Sequence, residues 1–115
     1  MSQHHTIDYV EFAVTDVAAA KRFYTAAFDW QFNDYGPDYA GIRGGDREVG
    51  GLRKDEQVTP GGPLVVLYSD DLEASQQRVE AAGGAITTPP FAFPGGRRFH
   101  FTDPSGNELA VWANA

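Results

Sequence analysis

The chain contains no cysteine. This absence excludes a disulfide framework, a thiolate zinc site, an iron–sulfur cluster and a cysteine nucleophile. Long apolar runs are missing too. No segment approaches the roughly 20 consecutive apolar residues needed to cross a bilayer, and the N-terminus MSQHHTID has no basic region followed by an apolar stretch. The expectation is a soluble cytoplasmic protein with no membrane partner. Basic residues are scarce: 9 Lys plus Arg stand against 16 Asp plus Glu, a net charge of −7. Such a field repels DNA and RNA, so nucleic acid is not an expected partner. There is no P-loop, dinucleotide fingerprint or nucleophile elbow, and Gly50-Gly51-Leu52 is not followed by a helical pattern.

What remains is ordinary globular material. In 115 residues, 42% are apolar and 22% charged, which suits one compact domain, while 13 Gly and 7 Pro point to many tight turns. Ile7 to Val14 (IDYVEFAV) reads as a half-buried strand with Val10, Phe12 and Val14 on one face and Tyr9, Glu11 and Ala13 on the other. Asp16 then caps a helix in which Val17, Ala20, Phe23, Tyr24, Ala27 and Phe28 recur at helical spacing, with Lys21 and Arg22 outward. Short strands follow, WQFNDY, YAGIR and EVGGLR, broken by Gly36-Pro37-Asp38 and Gly44-Gly45-Asp46.

After an aperiodic stretch the same order begins again. LVVLY (Leu64 to Tyr68) reads as a strand, Asp70 or Asp71 caps a helix, and Gly83-Gly84 ends it. AITT, RRFHFT and ELAVW are the closing strands, with Asp103-Pro104-Ser105-Gly106-Asn107 as a turn. Laying Asp16 on Asp71 also brings Val17 onto Leu72, Tyr24 onto Val79 and Ala27 onto Ala82. The chain therefore reads as one domain of two repeated modules, about 5–54 and 63–114, joined by a linker at 55–62.

The segments VEFAVTDVAAAKRFYTAAFDW, LYSDDLEASQQRVEAAGGAI and FTDPSGNELAVW resemble the vicinal oxygen chelate superfamily across essentially the whole chain. That superfamily includes glyoxalase I, extradiol dioxygenases and the bleomycin and fosfomycin resistance proteins; the chain is most similar to its short glyoxalase-like group. The resemblance implies an α+β fold in which two βαβββ modules form a curled mixed sheet, or cup, with helices outside and the ligand inside. It also implies a homodimer. Strand parity then sends Tyr9, Glu11, Leu64, Val66, Tyr68, Arg98, His100, Glu108, Ala110 and Trp112 to the cup, and Phe99 and Phe101 to the helix side.

Metal-dependent members of the superfamily coordinate a divalent ion through one His or Glu on the first and fourth strand of each module. Here those positions fall on Tyr9, on Gly51 or its neighbour Gly50, on Leu64 and on Ala110, and three of the four have no side-chain donor. Bringing Glu48 or Glu108 into play needs a register slip, which turns a strand residue to the other face. No metal and no other cofactor is expected.

The remaining candidates are polar or aromatic. Glu11 is a candidate general base if burial raises its pKa, or an inert partner of Arg98 or Arg53. His100 is a candidate catalytic or structural imidazole. Tyr9, Tyr68 and Trp112 offer ring faces with polar tips, whereas Phe12, Phe23, Phe28, Phe99 and Phe101 read as core. Phe91 and Phe93 fall in PPFAFPGG, read as a loop that covers a ligand or a partner chain. His4 and His5 read as a flexible extension, unable to chelate one ion together.

The expected function is metal-independent binding of a small organic molecule by Tyr9, Glu11, Tyr68, Arg98, His100 and Trp112. The alternative is a metal-free isomerase, epimerase or lyase with Glu11 as base and His100 or Arg98 stabilising an enolate. A metal-dependent glyoxalase or dioxygenase ranks below both. Whether the chain is catalytic at all is left open by the residues.

Overall fold

Asp16 and Asp71 each start a helix in the computed structural model, which describes residues 2–58 and 62–115. Each carboxylate accepts the backbone N–H three residues on, at 3.0 Å from Ala19 and 3.1 Å from Ala74. This satisfies a donor that the helix itself leaves open. The elements in order are β1 (Ile7–Val14), α1 (Val17–Phe28), β2 (Phe32–Asp34), β3 (Tyr39–Arg43), β4 (Glu48–Lys54), β5 (Leu64–Tyr68), α2 (Leu72–Ala81), β6 (Ala85–Phe93), β7 (Gly96–Thr102) and β8 (Glu108–Ala113). The order βαβββ occurs twice, so the fold class is α+β, as the repeat in the sequence predicts. Of the stretch read as a linker, residues 59–61 lie outside the described residues.

The chain forms two compact units, Tyr9–Pro63, and Met1–Asp8 with Leu64–Ala115. The division falls inside β1. Residues 5 and 6, read as the start of the first module, belong instead to the unit of Leu64–Ala115, bonded there from His5 N to Tyr68 O at 2.7 Å and from Tyr68 N to Thr6 O at 3.1 Å. The N-terminal segment is thus docked, which corrects the reading of His4 and His5 as a flexible extension. His5 adopts a left-handed φ of 62°, which folds the segment and stacks the two imidazoles at 3.7 Å. His4 Nδ1 accepts from Asp70 N at 2.9 Å, and His5 Nε2 lies 3.1 Å from Ser75 Oγ.

In the unit Leu64–Ala115 the strand order is β5-β8-β7-β6, with β5 parallel to β8 and the other pairs antiparallel. The register puts Tyr68 beside Trp112, Trp112 beside Arg98, and Ala110 beside both Val66 and His100. Those residues share one face. The opposite face carries Phe99, Phe101 and Val111, which bury Leu72 of α2 in the core cluster. The PPFAFPGG segment is not a loop: β6 continues through it to Phe93 and turns at Pro94-Gly95 into β7. Prolines are tolerated because β6 has one partner only and its register shifts on either side of Thr88.

In the unit Tyr9–Pro63 the order is β2-β3-β4-β1, with β1 parallel to β4. Ile42 pairs with Gly50 but Arg43 pairs with Glu48, so Val49 is an extra residue in β4. Such a bulge re-aims side chains locally. Glu48 is carried to the face of Tyr9 and Glu11, without the wholesale register slip that the sequence alone requires. Gly41 and Gly51, paired across β3 and β4, clear that face. A Cβ at Gly41 would lie 1.9 Å from Glu48 Oε1, and one at Gly51 1.9 Å from Tyr39 Oη and 2.8 Å from Tyr9 Oη.

α1 departs from its predicted stripe. Only Val17 is buried, while Phe23 and Phe28, read as core, are 60% and 62% exposed, and Ala27 is exposed as well. The reason is an aromatic stack outside the sheet contact: Tyr24 lies 4.6 Å from Trp30 at an interplanar angle of 11°, and Phe23 meets Tyr24 edge-on at 5.0 Å. Phe12, half-buried, is reached by Tyr24 at 6.3 Å. Lys21 turns to pair with Asp34.

The turn before β8 is organised by Asp103, whose Oδ1 accepts from Ser105 N and Asn107 N, each at 2.9 Å. Hydrogen bonds from the Asn107 side chain first, then from its backbone, hold the Asp103 carboxyl below its usual 3.8. A depressed carboxyl pKa stabilises the fold above the unfolded value, and that stability is lost as pH falls through the folded one. Asp103→Ala is therefore expected to lower the melting temperature at pH 7, with the gap from wild type closing as pH falls below the ordinary carboxyl value. A gap constant to pH 2 would assign the loss to something other than the charge. For Gly51→Ala, urea unfolding is expected to show a loss of about 1–3 kcal/mol, the cost of overpacking; an unchanged midpoint would mean that the two phenols move aside freely.

Candidate functional site

Two sets of side chains gather on the faces away from the helices, one in each unit. In Tyr9–Pro63 the set is a polar chain. Tyr9 Oη donates to Glu48 Oε2 at 2.9 Å, Tyr39 Oη donates to Glu11 Oε2 at 2.9 Å, and the two phenol oxygens lie 2.7 Å apart. Glu48 Oε1 also accepts from Asn33 Nδ2 at 3.1 Å and Tyr35 Oη at 2.7 Å. Glu11, 5% exposed, has Arg53 Nε 3.3 Å from Oε1, and Arg53 in turn reaches Asp55 at 3.0 Å. Arg53, one of the two arginines weighed as partners for Glu11, lies at ion-pair distance from it, two strand positions along the β1–β4 ladder.

The chain Glu48–Tyr9–Tyr39–Glu11 has three oxygen–oxygen contacts and two phenol hydrogens. When both phenols donate to carboxylates, the contact between them lacks a hydrogen, so the four groups respond to any change as a unit. Burial pushes the Tyr9 phenol far above its ordinary value, with the hydrogen bond to Tyr39 adding to it. Burial also raises Tyr39, partly offset by its close contact with the Tyr9 hydroxyl. Both phenols therefore keep their protons at neutral pH and act as donors, not as anionic ligands.

In Leu64–Ala115 the set is aromatic and cationic. The Arg98 guanidinium lies 5.5 Å from the Phe91 ring centroid and 5.8 Å from that of Phe93. His100 stacks on Phe91 at 5.9 Å, and its Nδ1 is 3.4 Å from Glu108 Oε2. Trp112 meets Tyr68 edge-on at 5.2 Å and Phe93 at 6.2 Å. Tyr68 is buried, and its hydroxyl reaches Asn114 Oδ1 at 3.4 Å. Trp112 is fixed by Asp8, which accepts the indole N–H at 3.0 Å and is itself 7% exposed.

Of the six residues named from the sequence, Tyr9 and Glu11 meet in the first set, and Tyr68, Arg98, His100 and Trp112 in the second. Sequence reasoning missed Tyr35, Tyr39 and Asn33, which complete the polar chain, and Asp8, which orients Trp112. A signal existed for Tyr39, since YAGIR puts it on the same face as Gly41. None existed for Asp8, whose partner lies in the last strand.

The four positions where metal-dependent relatives hold an ion do not fit one here. Leu64 and Ala110 have hydrocarbon side chains, the Cβ position of Gly51 is filled by a phenol oxygen, and Tyr9 is a protonated phenol. Glu48 does reach the Tyr9 face, yet three donors already occupy its carboxylate. Among the described residues, no three His, Asp or Glu side chains converge as a metal cluster.

Residues 6–111 match the family described as the Glyoxalase/Bleomycin resistance protein/Dioxygenase superfamily. Over 117 residues the chain is 32% identical to the anthracycline biosynthesis protein DnrV of Streptomyces peucetius, covering 84% of this chain and 42% of that protein. The Mn(II)-bound glyoxalase of Novosphingobium aromaticivorans superposes with a TM-score of 0.72 at 27% identity, over 99% of this chain and 40% of that one. Methylmalonyl-CoA epimerase of Streptomyces coelicolor gives a TM-score of 0.76 at 15% identity, over 98% and 99% of the two chains, a likeness of fold alone. The chain spans under half the length of the longer curated relatives that it matches. With the family matched over nearly its whole length, and the βαβββ order present twice, this chain belongs to the Glyoxalase/Bleomycin resistance protein/Dioxygenase superfamily.

Proposed function

We propose that this protein binds a small organic molecule without a metal ion, on the β5-β8-β7-β6 face that carries Arg98, His100, Tyr68 and Trp112. The observation that carries the reading is Arg98, set against the rings of Phe91 and Phe93. A guanidinium there presents a planar fork beside ring faces, which suits a flat aromatic ligand bearing a carboxylate or phenolate. Trp112, locked by Asp8, adds a rigid stacking surface. Similarity to a protein named for anthracycline biosynthesis, a class of polycyclic aromatic compounds, supports the ligand class.

The alternative with Glu11 as a general base is less well supported. Both of its oxygens are engaged, one by Arg53 and one by Tyr39, so it has to give up one of them before it can take a proton from a substrate.

Calorimetric titration with 1-hydroxy-2-naphthoate tests the reading. Arg98→Gln is expected to weaken binding about tenfold, the worth of one charge-assisted hydrogen-bonded contact, while the matching naphthamide loses much less. Dialysis against a chelator and addition of Mn(II) are expected to leave the wild-type affinity unchanged. Binding that Arg98→Gln does not touch, or that Mn(II) strengthens, would overturn the proposal.

A further inference from the structure

A cleft of about 560 Å³ lies on the opposite side of the β5–β8–β7 sheet, under α2. It has no part in the aromatic face: Phe101 and Val111 line it, and these alternate along their strands with His100, Ala110 and Trp112. Its origin can be read from α2. Leu72 and Val79 bring large side chains to the sheet, but Ser75 and Ala82, which also line the cleft, are too small to fill the space between. Ser75 cannot collapse into the gap because its hydroxyl is tied to Ser69 Oγ at 2.6 Å and to His5 Nε2 at 3.1 Å.

The lining has two parts. Leu67, Val79, Phe101 and Val111 form a hydrocarbon floor, and the exposed Arg78 stands at the edge in the last turn of α2. The volume falls within the roughly 300–1,000 Å³ of small-molecule pockets. His5, also at the edge, has its pKa lowered, first by burial and then by His4 and Arg78, so Arg78 supplies the positive charge at neutral pH. An apolar floor with a single cation at its edge complements an amphiphile that has a short hydrocarbon tail and an anionic head.

We propose that this cleft is a second binding site, separate from the aromatic face, for a small anionic amphiphile such as a medium-chain carboxylate. The tail lies between α2 and the sheet, and the carboxylate pairs with Arg78. The proposal does not depend on the function proposed above.

Calorimetric titration with decanoate is the test, with decyltrimethylammonium as the probe of opposite charge. Decanoate is expected to bind one per chain and the cation at least tenfold more weakly. Ala82→Trp, which fills the cleft from an exposed helix end, is expected to weaken decanoate at least tenfold. Ala81→Trp serves the same purpose if Ala82→Trp does not fold, as judged by its thermal melt. Arg78→Gln is expected to cost about threefold to fivefold, the scale of an exposed ion pair. Absence of decanoate binding overturns the proposal, as does unchanged affinity in whichever tryptophan variant folds. Decanoate affinity that falls in Arg98→Gln and not in the tryptophan variants also overturns it, by placing the fatty acid on the aromatic face.

Discussion

Gly41 and Gly51 are the constraint on which the polar half of this molecule rests. They pair across β3 and β4, and the volume that their side chains would take is filled by the Glu48 carboxylate and the Tyr39 and Tyr9 phenols. Polar groups so close to a sheet have lost most of their water, and a buried polar group is tolerable only when it is hydrogen-bonded. The chain from Glu48 through Tyr9 and Tyr39 to Glu11 supplies those bonds, and Arg53 closes it with a charge. The glycines are therefore part of the network, since a larger residue at either position removes the space in which the network is satisfied.

The second half of the chain uses the same order of elements for a different surface. There the face away from α2 carries Tyr68, Trp112, Arg98 and Phe91, and its orienting group, Asp8, comes from the first strand. A repeat of βαβββ units thus holds carboxylates and phenols in one copy and rings with a guanidinium in the other. Fold class fixes which residues share a face, and side-chain chemistry decides what that face does.

Strand parity was the most legible feature in the sequence. Alternation correctly separated Tyr68, Trp112, Arg98 and His100 from Phe99 and Phe101, because a period of two leaves no freedom once the strand is recognised. Helix caps were legible for a similar reason, since Asp16 and Asp71 each precede an apolar periodic run. What could not be read depends on a single inserted residue or on a distant partner. Val49 bulges out of β4 and moves Glu48 to the opposite face, yet EVGGLR shows no local sign of it beyond its glycines. Phe23 and Phe28 have the spacing of a core stripe, but Tyr24 stacks on Trp30 and the helix turns its buried edge to Val17 instead. The prolines of β6 suggested a loop because the edge position that tolerates them is a property of the sheet, not of the segment.

The docked N-terminus shows how these effects combine. A left-handed His5 is unfavourable for a non-glycine residue, and the strain is offset by its backbone bond to Tyr68 and its side-chain contact with Ser75. The same contact keeps Ser75 from filling the space under α2, so the residues that anchor the N-terminus also hold open the cleft beside it. Ser69 accepts this arrangement on the buried side, its hydroxyl bonded to Ser75 and to the Asp71 backbone carbonyl at 2.8 Å. A hydrogen-bonded chain running from His5 through Ser75 and Ser69 to the start of α2 thus couples the position of the N-terminus to the helix cap. Whatever occupies the cleft therefore contacts a helix whose distance from the sheet is set by polar bonds and not by packing alone, and apolar burial there adds to a gap that already exists instead of having to open one.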